Sequence, residues 1–251
     1  ISINPYTLFF LILFLFRKKI YIYLISNGHE EWKYILGSWS VWIYHIMYSI
    51  ITSKSEVITL HEKLYKGENC HLVTSSTLDE KWFKNFKEAK LDKVKFLYVG
   101  RTNPEKGVYQ FLEMFEKAKL NAEFSIVGNH KNLRDSKNKD IQIIGYVSDK
   151  KSLIDIYDNH NILILPSFTE GQPHVVEESL ARRRPVIIFE EIKHIINDRK
   201  GIFISKRNVD TLIKTTNYVM QNYNEIQEDI KKNKFPLKED MIKEISGIIN
   251  L

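Results

Sequence analysis

TEGQPHVVEESLA, residues 169–181, decides how this chain is read. An apolar run, Ile162–Leu165, precedes it and ends in Pro166-Ser167, and a second apolar run, Val186–Phe189, follows Arg184-Pro185. Strand, loop, short helix and strand is the arrangement this pattern predicts. Gly171 frees the loop, and Pro173 suits the first helical position, where no backbone donor is needed. Glu170 falls in the loop at the carboxyl end of a strand, and Glu178 about two turns into the helix. In open parallel α/β sheets, ligands bind at that edge. The backbone N–H groups that open the helix favour an anion there.

The spacing of the two acids narrows the chemistry. Eight helical residues separate them by about 12 Å. Paired hydrolytic carboxylates lie about 5–9.5 Å apart. The pair therefore suits two ends of one elongated ligand. Taken singly, Glu177 and Glu178 read as solvated helix charges and Glu170 as a turn residue; the whole pattern outweighs that reading.

EGQPHVVEESLARRRPVI, residues 170–187, resembles the Glu-x7-Glu segment of the family-4 retaining glycosyltransferases. The resemblance rests on Glu170, Gly171, Pro173, Glu178, Ala181, Pro185, Val186 and Ile187. The sequence departs from the family pattern at Ser179, where Ala is usual, and at Arg183, where Gly is usual. Arg tolerates a left-handed backbone poorly.

A second motif lies upstream. Val94–Val99 is a predicted strand, GRTNPEKG at residues 100–107 a loop, and Val108–Ala118 a helix with Phe111, Leu112, Phe115 and Ala118 on one face. Arg101 and Lys106 thus stand together at a strand end beside a helix start. Arg offers a planar fork for phosphate oxygens, and Lys a movable point charge. Alone, the loop reads better as a surface turn with two solvated cations. G-R-x-x-x-x-K-G is, however, the second motif of the same family, at the expected distance from Glu-x7-Glu.

The resemblance implies an α/β protein of the two-domain GT-B fold, two Rossmann-like domains with the carboxyl-terminal one a doubly wound parallel sheet. It implies a nucleoside-diphosphate sugar as donor substrate, no cofactor and no metal. Arg101, Lys106 and Glu170 become the catalytic candidates. Gly100, Gly171, Gln172, Pro173, His174 and Glu178 become substrate contacts, with Glu178 on the ribose hydroxyls. In the family a G-x-V segment holds the base, here Gly145-Tyr146-Val147, although packing of a strand end explains Tyr146 and Val147 equally well. The acceptor is a glycan or lipid-linked sugar by family habit.

Composition sets outer bounds. The chain has 251 residues, 43% hydrophobic and 12% aromatic, enough for a real core. The net charge of +6 is spread, since residues 1–90 hold 11 Lys+Arg against 8 Asp+Glu. No basic arm or zinc-finger spacing points to nucleic acid; weak attraction to anionic membrane or phosphate ligands fits better. The single cysteine, Cys70, excludes an intrachain disulfide and fits a reducing compartment, hence the cytoplasm or the inner face of its membrane.

The apolar run at residues 8–16 is shorter than a membrane span. Its basic residues, Arg17-Lys18-Lys19, follow it rather than precede it, unlike a signal peptide. Residues 5–17 read as a buried helix, with a membrane-facing helix as the second reading, leading into a strand at 20–25. Residues 26–31 then form a loop whose His29 falls near the spot of the family's His-Gly loop; a surface histidine is the plainer reading. Residues 38–52 have helical spacing, and the stripe Trp39, Trp42, Ile43, Ile46 and Ile50 reads as core, with an acceptor groove or membrane contact as alternatives.

Strands at 56–60 and 71–73, a short helix at 61–66 and a linker at 84–93 complete the first region. Downstream, strands at 123–127, 141–144 and 202–204 and a helix at 149–158 capped by Ser148 continue the α/β alternation. The tail from 209 is helical and broken at Pro236. The domains expected are therefore 1–90, an incomplete acceptor-side domain lacking the family's glycine-rich opening; 91–235, the donor domain; and 236–251, a helix returning to the first. A fragment of a longer frame and a shortened variant both fit. A non-catalytic sugar-nucleotide-binding protein and an epimerase on the same fold are the competing functions.

Overall fold

Two parallel sheets organise the chain, and the computed structural model describes residues 19–24, 27–60, 62, 64–129 and 138–249. The helix read over 5–17 and the end of the first strand, Ile25, lie outside these residues. One compact unit comprises Ile1–Thr77, Thr169–Gln172 and Pro236–Leu251, and the other Leu78–Phe168 and Pro173–Phe235.

The first unit holds β1 (Tyr21–Leu24), α1 (Gly28–Leu36), α2 (Ser40–Ser53), β2 (Glu56–Thr59) and β3 (Cys70–Leu72), with strand order β1-β2-β3. Tyr44, Met47 and Ile51 of α2 pack on Ile22, Leu24 and Val57. On Ile58, Leu60 and Val73 lie Ile245, Ile248 and Ile249, from the last helix, Lys238–Ile249. Glu244 of that helix accepts from Thr74 N at 2.7 Å and from its hydroxyl at 3.2 Å.

Three expectations for this unit fail. The aromatic stripe of α2 is exposed: Trp39 is 67% and Trp42 70% accessible, and Ile43, Ile46 and Ile50 are exposed with them. The helix carries no charged residue, so its period identified a helix but not its inner face. Residues 28–31 are helix, not loop. Gly28 serves packing instead: a Cβ there would come within 2.1 Å of the Tyr44 hydroxyl. Among residues 61–66, the described ones, Glu62, Leu64, Tyr65 and Lys66, form no helix.

The second unit is built on a six-stranded, all-parallel sheet of order β6-β5-β4-β7-β8-β9. Its elements are β4 (Val94–Val99), α3 (Val108–Ala118), β5 (Ala122–Val127), β6 (Ile141–Ile144), α4 (Lys150–Asn159), β7 (Ile162–Leu165), α5 (His174–Ala181), β8 (Val186–Phe189), β9 (Ile202–Ser205), α6 (Val209–Gln221) and α7 (Tyr223–Ile230). β7 and β8 are buried along their whole length, as strands covered on both faces must be. Phe111 of α3 meets Phe124 edge-on at 4.9 Å and Phe96 at 5.8 Å, so aromatic burial anchors the sheet. Asp149, rather than Ser148, caps α4, accepting from Ser152 N at 2.8 Å.

This unit begins at Leu78, and the stretch read as a linker is strapped onto it. Arg182, fully buried, binds both carboxylate oxygens of Asp158 at 2.9 and 2.7 Å. Its remaining donors reach the carbonyls of Trp82, Lys84 and Asn85 at 2.8–3.0 Å. Arg184 reaches the carbonyl of Lys87 at 2.8 Å. A bidentate pair with every donor engaged is the arrangement in which a buried charge is tolerated.

Candidate functional site

β4 sits between β5 and β7, so the winding of the sheet reverses between β4 and β7. Chain segments leaving the carboxyl ends of two adjacent strands diverge at such a point and leave a crevice. The two motifs sit there: residues 100–107 follow β4, and residues 166–173 follow β7.

Glycine makes the close packing of these loops feasible. Gly107 has φ +65°, and a Cβ there would lie 2.0 Å from the carbonyl oxygen of Pro166. Gly128, φ +133°, would meet the carbonyl of Gly100 at 2.1 Å. No other residue fits either place without moving backbone. Phe168 N donates to Glu105 O at 2.9 Å, linking the two loops, and the Tyr98 hydroxyl donates to Arg101 O. Between the loops' anchors, Arg101 is exposed and Lys106 half-buried.

Arg207, on the loop after β9, completes the frame and carried no sequence signal. It donates to Pro166 O at 3.1 Å and to Glu191 at 2.8 Å, and stacks over Phe168 at 4.0 Å. The Arg207 guanidinium fixes the backbone that leads into Glu170. Glu170, Gly171 and Gln172 lie in that loop, in the stretch that groups with the first unit.

Pro173 is the N-cap of α5, one place before the first helical position expected for it. His174 opens the helix, with Nδ1 3.9 Å from Glu177 Oε2. Neither acid that follows is a solvated surface charge. Glu177 is 4% exposed and pairs with Arg199 at 3.2 Å. Glu178 is half-buried and accepts a 2.8 Å hydrogen bond from the hydroxyl of Tyr157, on α4. Burial, and then the Glu178 carboxylate, push the Tyr157 phenol well above its ordinary pKa, so it is a neutral donor.

Arg183 adopts the left-handed backbone, φ +58°, that the family's glycine would occupy. Its guanidinium stacks 3.7 Å from the Phe86 ring, which offsets part of the strain. Tyr146, after the edge strand β6, is 80% exposed, whereas Val147 packs on the core. His29 lies in the first turn of α1, in the first unit, with Nε2 3.3 Å from His45 Nδ1. Burial and then His45 hold its pKa below the ordinary value. Among the described residues, no group of three or more His, Cys, Asp or Glu is placed to hold a metal ion, and no helix is long and apolar enough to cross a membrane.

A doubly wound sheet with two glycine-pinned loops at its switch point defines the class of open α/β proteins whose ligands bind at that edge. The chain belongs to the glycosyl transferases group 1 family, which matches residues 80–235. It is 33% identical over 97 residues to TuaC of Bacillus subtilis (strain 168), described as a teichuronic acid biosynthesis glycosyltransferase. That match takes in 39% of this chain and 25% of the relative's length. Among solved structures, HepE of Anabaena in complex with UDP-glucose superposes with a TM-score of 0.75 at 9% identity, over 99% of this chain and 77% of that one. Sucrose-phosphate synthase from Thermosynechococcus elongatus gives 0.71 at 14% identity, over 92% and 67%. These likenesses establish the GT-B fold class, α/β with parallel sheets.

Proposed function

We propose that this chain carries the donor site of a glycosyltransferase that moves a sugar, with retention and without a metal, from a nucleoside-diphosphate sugar to a glycan or lipid-linked acceptor. The observation that supports this most is the convergence of the 100–107 loop and residues 166–168 at the switch between β4 and β7. Arg101 and Lys106 neutralise the diphosphate as charge develops on the leaving group, which is stabilisation by fixed cations. Gly100 lets the backbone approach the phosphates. Glu170 accepts hydrogen bonds from sugar hydroxyls, and Glu178 from the ribose. Backbone amides of Gly171, Gln172 and His174 hold sugar or phosphate, and Tyr146 and Val147 border the base. His29 is assigned to the acceptor side. Positioning and leaving-group stabilisation then carry the rate, more than a protein base.

Calorimetric titration with UDP, GDP, ADP and their sugar conjugates tests the site. Uridine nucleotides come first, because HepE was solved with UDP-glucose. Saturable binding of one nucleotide, weakened at least tenfold in Lys106→Ala and Glu178→Ala, is the expected result. A folded chain that binds none of them would refute the assignment. With turnover in hand, NMR of the first-formed anomer checks retention, and an excess of EDTA checks metal independence.

The proposal includes a peripheral site on the inner face of the cytoplasmic membrane. The exposed Trp39 and Trp42, flanked by Ile43, Ile46 and Ile50, suit a lipid interface, and the pI of about 9.1 suits anionic headgroups. Co-sedimentation with phosphatidylglycerol vesicles, lost in the Trp39→Ala, Trp42→Ala double variant, is the expected result.

A further inference from the structure

We infer that Tyr157 is a positioning residue that presets the carboxylate of Glu178 for ribose recognition. The inference rests on the donor-site reading above. Tyr157 is 1% exposed and reaches Glu178 from a neighbouring helix, outside either motif. Its ring is held edge-on by Trp82, centroids 5.5 Å apart and planes at 71°. The next residue, Asp158, is clamped by Arg182 in the buried bidentate pair, so α4 has no freedom to withdraw the phenol. A Glu side chain has three rotatable bonds, and leaving it unordered until a ligand arrives costs affinity. The phenol proton aimed at Oε2 favours one orientation of that carboxylate before any nucleotide binds.

A phenol sealed beneath the site touches no ligand, so its effect must pass through Glu178. The loss should therefore fall on the ribose hydroxyls and spare base and diphosphate. A packing role would weaken all nucleotides alike.

The test is calorimetry of the whole chain with UDP, 2′-deoxy-UDP and 3′-deoxy-UDP, on the wild type, Tyr157→Phe and Glu178→Gln. Expected in the wild type is a preference for UDP over one deoxy analogue. Tyr157→Phe should bind UDP about tenfold more weakly and that analogue nearly as before, as Glu178→Gln also should, since a hydrogen bond to a charged group is at stake. Because the ratio of two ligands is read on one population of folded molecules, partial unfolding of the variant cancels. Trp82→Phe, a packing control, should lower the melting temperature and keep the wild-type ratio. A Tyr157→Phe protein that keeps the wild-type ratio, or loses affinity equally for all three, would overturn the inference while leaving the donor site intact. A wild type that binds UDP but shows no ribose preference would overturn it too. No binding by the wild type would refute the donor site itself, and the inference with it.

Discussion

Helices α2 and α3 both bury an apolar face against their sheets, yet only α2 leaves a second stripe of large apolar residues exposed. In α3, Val108, Phe111, Met114, Phe115 and Ala118 are buried, and Glu113, Glu116 and Lys117 mark the outside. In α2 Trp42 faces solvent, as does Trp39 just before it, and Tyr44, Met47, Ile51 and two small polar residues, Ser40 and Thr52, face in. A periodic pattern identifies an inner face only when charges mark the outer one. With no charge on α2, every face is apolar enough to be buried, and neighbours decide. Gly28 gives α1 access to Tyr44, which fixes the rotation of α2.

The largest expected loss lies in a feature of the second unit that no periodicity reports. Arg182→Ala should cost about 3–5 kcal/mol, because it removes both short hydrogen bonds to the buried Asp158 and leaves it only Arg184 at 3.9 Å. Urea unfolding measures it, and a loss under 1 kcal/mol would show that the latch is not closed in solution. Phe111→Ala should cost a similar 3–5 kcal/mol, a large cavity in the core. Trp42→Ala, removing a larger ring from α2, should change stability by no more than about 0.5 kcal/mol. If Trp42→Ala is as damaging as Phe111→Ala, the contrast between the two helices collapses.

Acid should weaken both units, by smaller amounts. Burial lowers the pKa of His160 in the second unit and of His29 in the first. Above the ordinary histidine value of about 6.5 both are neutral, folded or not. As pH falls from there through the lowered folded values, the unfolded chain takes the protons first and stability is lost. Urea midpoints at pH 7.5 and 5.5 should therefore differ, and His160→Asn should narrow the gap more than His29→Asn, since His160 is the more deeply buried. Equal narrowing would deny that burial sets the order. Arg183→Gly should have a small net effect of the opposite sign. Relief of about 1–2 kcal/mol of left-handed strain is offset by about 0.5–1 kcal/mol of lost stacking on Phe86. The melting temperature should shift by only a few degrees, and a large loss would mean that Arg183 holds more than the Phe86 ring.

The motif loops were legible because their information is local. A strand end, a glycine and a charge within a few residues fix a turn and what it presents, so the places of Arg101, Lys106 and Glu178 followed from spacing. The parallel sheet of the second unit was equally plain, since buried strands must read as unbroken apolar runs. The packing of residues 84–93 was not legible, because a charged stretch looks alike whether it is solvated or tied by its carbonyls to a distant arginine. The loop at 28–31 was misread because Gly28 is required by Tyr44, sixteen residues on.

By itself, the sequence determined the order of strands and helices in the second unit, the two motif loops and the family. Each depends on residues close enough in the chain to constrain one another. Only the tertiary structure decided which face of α2 is inside, that Arg182 and Arg184 strap the linker down, and that Tyr157 and Arg207 stand behind the site. Those outcomes rest on single side chains meeting across many residues of intervening chain, and a hydrogen bond between two such groups leaves no period, composition or spacing by which to foresee it.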